Sequence, residues 1–84
     1  MAPMTRDQVI AALVDHGAAV DDASMYADAF QEYQRATANI QEHGVIISHP
    51  RTGNPVDNPY LRIRDRALKK LRAMREIDAA FLWS

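Results

Sequence analysis

The sequence predicts a mainly α-helical, oligomeric protein: a short N-terminal helix, then a long antiparallel helical hairpin joined by a short β-turn connector. Three observations predict it. Apolar residues from Met25 to Ile40 recur in steps of three and four, the period of an amphipathic helix. The same period returns from Tyr60 to Met74. Between them, His49 to Pro59 holds three X–Pro bonds, which no continuous helix tolerates. The 84 residues read as one small domain, with the short helix in 1–20, the hairpin in 21–76 and an apolar tail in 77–84.

The first helix has a start and a stop. Thr5 is the expected N-cap, and Gln8, three residues on, completes a capping box. Val9, Ile10, Leu13 and Val14 form a narrow apolar stripe, and Gly17 after His16 is the expected C-terminal stop. Residues 1–4 ahead of it are expected to fray.

The second helix is expected to start at Asp21 or Asp22, with Val20 and Met25 at the two staple positions. Tyr26, Phe30, Tyr33, Thr37 and Ile40 make its apolar face, widened by Met25, Ala29 and Ala36. It should run to His43, with Gly44 as cap, a length of about 30 Å. Its far side holds Ala27, Gln31, Gln34 and Ala38. These small or amide-bearing side chains would let another helix approach closely, unless the face is simply solvated.

Val45–Ser48 reads as a short strand, His49–Pro55 as a turn and Val56–Asp57 as a returning strand. Asn58 is then the N-cap of the third helix and Pro59 its first residue, where a missing N–H costs nothing. Tyr60, Ile63, Ala67, Leu71 and Met74 line one face, with Leu61 and Leu68 beside them; Arg62, Arg66 and Lys69 lie opposite. Arg64 and Arg75 fall among the apolar positions, where they would snorkel or pair with acids such as Asp28 and Glu32, within the chain or across subunits. Ile77, Phe81, Leu82 and Trp83 would either prolong this helix or form the tail.

A chain this short buries only roughly 60–65% of its unfolded surface, and it has no cysteine. Disulfides and cysteine-based metal sites are therefore excluded. With no membrane-length apolar run and no signal-like start, the expectation is a soluble cytoplasmic protein. Two helices of about 30 Å cannot cover all this apolar and small surface with one short helix, which argues for a homo-oligomer. The net charge of −1 hides a polarity. Residues 1–50 carry two cations against seven anions; residues 51–84 carry eight against four. Such halves pair with one another, within or between chains, or the basic half meets a polyanion.

Few catalytic constellations can be built. Ser24, Ser48 and Ser84 lie in no nucleophile elbow, and His16, His43 and His49 have no metal spacing. No enzyme, cofactor or metal is expected. The one candidate surface is the basic face of the third helix, where Arg62, Arg66, Lys69, Lys70 and Arg72 would contact phosphates of double-stranded DNA without sequence preference. Its plain alternative is a solvated face serving solubility or subunit contacts. No helix-turn-helix spacing supports specific base readout.

Three stretches carry a family resemblance. They are Ala23–Tyr33, Glu42–Ile47 and Gly53–Ile63, the last leading into Ala67–Leu71. In this order and spacing, from Val20 to Met74, the chain resembles the small subunit of phage terminases. The resemblance implies a non-enzymatic ring-forming adaptor in the host cytoplasm that binds viral DNA and hands it to the large terminase subunit. On that reading Tyr26, Phe30, Tyr33, Tyr60, Leu68 and Leu71 build the protomer core and ring contacts. Ala27, Gln31, Gln34, Ala38, Arg64 and Arg75 become oligomer-interface candidates, and Phe81, Leu82 and Trp83 a docking segment for the large subunit. Two departures stand out: Arg75–Ser84 replaces a Gly-Leu turn and a Ser/Thr-Pro segment, and the N-terminal DNA-binding module is reduced to one helix. The competing class is a small helical partner-binding protein, antitoxin-like, without a packaging role.

Overall fold

The computed structural model describes residues 4–83. Residues 1–3 of the segment expected to fray, and residue 84 at the end of the predicted tail, lie outside them. The order is α1 (Arg6–Asp15), α2 (Val20–His43), β1 (Ile46–Ser48), β2 (Pro55–Asp57), α3 (Tyr60–Ala73) and a terminal 3-10 turn (Ala80–Leu82). Three helices and one small antiparallel sheet thus make a mainly helical fold.

α1 forms as its ends dictate. Thr5 Oγ1 accepts from the Gln8 N–H at 3.2 Å, while Gln8 Oε1 accepts from the Thr5 N–H at 2.9 Å. At the other end Gly17 takes φ +98°. The Gly17 N–H then reaches the Val14 carbonyl and the Ala18 N–H the Leu13 carbonyl, both at 3.0 Å, the pattern of a Schellman stop.

α2 begins earlier than its acids suggested. Ala19, not Asp21 or Asp22, is the N-cap, with extended backbone and no side-chain cap bond. Its carbonyl accepts from the Ala23 N–H at 2.8 Å. The two acids instead occupy the first turn, where negative charge meets the positive end of the helix dipole. The expected staple is absent, because Val20 and Met25 are 60% and 63% exposed. Met25 therefore does not widen the buried face. α2 ends at Gly44, as expected, with φ +86° and its N–H on the Ile40 carbonyl at 2.7 Å.

The connector is a two-stranded hairpin pairing Ile46 with Asp57, Ile47 with Val56 and Ser48 with Pro55. Pro55 sits at a strand end, where its missing N–H leaves the short ladder intact. Asn58 joins connector to helices. It is 2% exposed, and its Oδ1 accepts from the Tyr60 N–H at 3.0 Å. Its Nδ2 donates to Asn39 Oδ1 at 3.0 Å and to the Gly44 carbonyl at 2.9 Å. One side chain thus caps the third helix and ties it to the end of the second. Pro59, expected as the first helical residue, takes the N-cap position with right-handed helical dihedrals, so α3 begins one residue later than expected, at Tyr60.

α3 stops at Ala73, short of the expected end at 76. Its 14 residues span about 21 Å, less than the predicted 30 Å. The chain then turns and folds back, so the terminal segment neither prolongs the helix nor trails free. Ala79 and Leu82 are buried in one cluster with Val9, Leu13, Ala23, Tyr26, Ala27, Ala29, Phe30 and Leu71.

This core lies at one end. The radius of gyration is 15.0 Å and the extents are 49 × 25 × 20 Å, against about 12 Å for a compact chain of this length. Beyond the core, among the described residues, α2, α3 and the connector continue as a two-helix arm burying Ala36, Ile40, Asn58 and Ala67. At its tip Val45 and Ile46 are exposed.

Candidate nucleic-acid interface

The basic face of α3 follows from its period. Ala67 and Leu71 are buried, which turns the positions opposite them to solvent. Arg62, Arg66 and Lys69, at steps of four and three, stand in line there and are all exposed. The line is about 10 Å long. Arg72 is exposed on one flank, beside a cleft lined by Tyr26, Leu68, Leu71 and Trp83. Among the described residues no carboxylate pairs with Arg62, Arg66, Lys69 or Arg72. Lys70, on the other flank, differs: its Nζ lies 3.7 Å from Glu32 Oε2 on α2. The acid on this face, Asp65, lies 3.8 Å from Arg64. Such exposed pairs hold little energy, so the surface keeps its positive sign.

The acids proposed for Arg64 and Arg75 have other partners within the chain. Asp28 accepts from Arg6 Nε at 2.6 Å, joining α1 to α2, and Glu32 takes Lys70. The Asp28 hydrogen bond, then the Asp28 charge, hold the Arg6 guanidinium above its ordinary pKa. Arg75 is exposed in the turn after α3. Among the described residues no three His, Asp or Glu side chains gather as a metal cluster, and no helix is long and apolar enough to cross a membrane.

The remaining candidates divide by burial. Ala27 is fully buried, so it presents no surface to another subunit. With Ala23 it faces away from Ala29 and Ala36 on the helical wheel and joins the cluster of Val9 and Leu13 from α1. The helix that the small face invited is thus, at this end, the chain's own. Gln31, Gln34 and Ala38 continue past it and, with Met4 and Arg35, line a shallow hollow.

The terminal aromatics are engaged. Trp83 Nε1 donates to Tyr26 Oη at 2.9 Å. The indole meets Phe30 and Tyr33 edge-on, with centroids 5.1 Å apart in each case. Phe81 stacks on His16 at 3.9 Å and 11°, and Leu82 is buried. A docking segment made of all three would have to leave this seat first. Trp83 alone keeps a substantial free surface, at 44% exposure.

The family model for the phage terminase small subunit matches residues 5–76. The chain belongs to that family. No curated protein and no solved structure matches it. The family works in phage DNA packaging, generally as a non-catalytic adaptor associated with DNA and with the large terminase subunit.

The match runs from the α1 capping box through α3, so α1 is part of the family unit. It ends at residue 76, ahead of the terminal turn. Sequence reasoning missed an open groove between α2 and α3. Met25, Ala29, Ala73 and Met74 form its apolar floor, with Asp28, Glu32 and Lys70 on its rim. The signal was present in Met25, whose wheel position lies at the margin of the stripe.

Proposed function

We propose that this family member is a non-enzymatic, oligomeric DNA adaptor whose contact surface is the α3 line of Arg62, Arg66 and Lys69, with Arg72 beside it. The observation that carries the reading is that these cations are exposed and, among the described residues, unpaired by carboxylates. A line of cations on a rigid helix meets backbone phosphates without reading bases. One protomer supplies three or four contacts, which is weak alone. Repetition around a closed ring raises the affinity through effective concentration.

The elongated arm supports the oligomer. Its two helices leave exposed Val45 and Ile46 at the tip and the Gln31–Gln34–Ala38 hollow along the side. An acidic α2 edge and a basic α3 face suit a heterologous contact, in which one surface meets a different surface of the next copy. The large terminase subunit is the protein partner in this reading. Light scattering behind a sizing column tests it. The protein should form one discrete multi-subunit species that shifts to larger mass with duplex DNA. A monomer that leaves duplex DNA unshifted would refute the adaptor reading.

A further inference from the structure

The C-terminal turn meets the C-terminal end of α1 at the core end of the molecule. The Phe81 ring lies flat on His16, the C-cap of α1, at 3.9 Å. Two residues on, Trp83 is held by the Tyr26 hydroxyl and the edges of Phe30 and Tyr33, all on α2. Between them Leu82 enters the cluster that holds Val9 and Leu13. The terminal turn therefore clamps α1 on one side and α2 on the other.

We infer that this turn is a latch for α1, so that the docking of α1 and of the terminal turn is one coupled equilibrium that opens while the helical hairpin stays folded. α1 has ten residues, too few for a helix to persist in water without packing. It fully buries only Val9 and Leu13, and its ion pair to α2, Arg6 with Asp28, is exposed. Its buried side chains rest on α2, in the cluster that Leu82 of the tail completes. The tail is tethered through residues 74–79, which contain no helix or strand; there the Ile77 N–H reaches the Met74 carbonyl at 3.4 Å. The arm has its own supports in Asn58, Ala36, Ile40 and Ala67. Such a division produces sub-global opening, with one unit leaving and the other intact.

The latch is independent of the DNA reading. Its consequence is a link between α1 and the C-terminal turn. A protein that takes hold of the C-terminal aromatics frees α1, and one that grips undocked α1 frees the tail. By linkage the two effects have equal coupling.

Hydrogen exchange on the full chain, together with acrylamide quenching of Trp83, the only tryptophan, tests it from both directions. In Phe81→Ala the α1 amides should exchange on the order of tenfold faster, while amides 36–40 and 63–67 keep their rates. In His16→Ala the indole should become more quenchable, and Phe81→Tyr, which keeps a stacking ring, should restore slow α1 exchange. The latch is refuted if α1 exchange is unchanged in Phe81→Ala, or if quenching is unchanged in His16→Ala. It is equally refuted if the hairpin amides accelerate along with α1, because the tail would then be part of a single global core.

Discussion

Asn58 Nδ2 stands 3.0 Å from Asn39 Oδ1, and this bond closes the far end of the helical arm. The same amide donates to Gly44 and caps the first turn of α3. Asn58→Ala leaves the Gly44 carbonyl and the Tyr60 N–H without their partner in a buried site. The expected loss is about 2–3 kcal/mol, read by urea unfolding. Asn39→Ala removes one bond of the set and should cost less, about 1 kcal/mol.

Gly44 ends α2 at φ +86° and ψ 174°, a region that glycine alone occupies without strain. A Cβ there would meet the Ile46 carbonyl oxygen at 3.8 Å, an ordinary contact, so the penalty is backbone strain alone. Gly44→Ala should cost about 1–3 kcal/mol. A thermal melt showing Gly44→Ala as stable as the parent would contradict the backbone assignment.

Tyr26 holds the tail through its hydroxyl. Tyr26→Phe keeps the ring stacked toward Phe30 and removes only the acceptor for the indole N–H. Trp83 is partly exposed and water can replace the lost bond, so the expected cost is about 0.5–1.5 kcal/mol. Trp83 emission should shift toward that of a hydrated indole. An unchanged spectrum would mean that the hydroxyl does not orient the ring.

Arg6 and Asp28 join α1 to α2. The folded pKa of Arg6 is raised, so its contribution is present at all pH values below the arginine range and is lost only as pH rises through it. Stability near neutrality should therefore not change with pH on account of Arg6. It should change with salt, because the pair is exposed. Arg6→Gln should reduce the salt sensitivity of unfolding and leave its pH profile near neutrality in place.

Much of the frame was legible in the sequence because its signals are local. The Thr5–Gln8 box and the Gly17 and Gly44 stops act within a few residues and stand where they were expected; α3 starts one residue later than the Asn58-Pro59 pair suggested, although Asn58 still takes the Tyr60 N–H. Asp21 and Asp22 misled because acids favour both the cap and the first turn, and only the extended backbone of Ala19 decides between them. The burial of Ala27 was not legible: a small residue suits any close neighbour, and the sequence does not say that α1 supplies it. Nor was the seat of Trp83, since its partner Tyr26 lies on another element and no local pattern links the two. In the candidate site, the line of Arg62, Arg66 and Lys69 was legible from period alone. That Lys70 leans toward Glu32 was not, because it depends on how α2 and α3 are rotated against each other.

The most direct test of the proposed function is the salt dependence of duplex DNA binding, for the parent protein and for the triple variant Arg62→Ala, Arg66→Ala, Lys69→Ala, each at confirmed equal oligomer mass. The α3 surface predicts a steep linear fall of log affinity with log salt in the parent, with a slope of about 0.9 per phosphate contact. The variant should bind at least about tenfold more weakly at low salt and show a clearly shallower slope. Equal affinity and equal slope in the two proteins would contradict the account and place any DNA contact elsewhere on the chain.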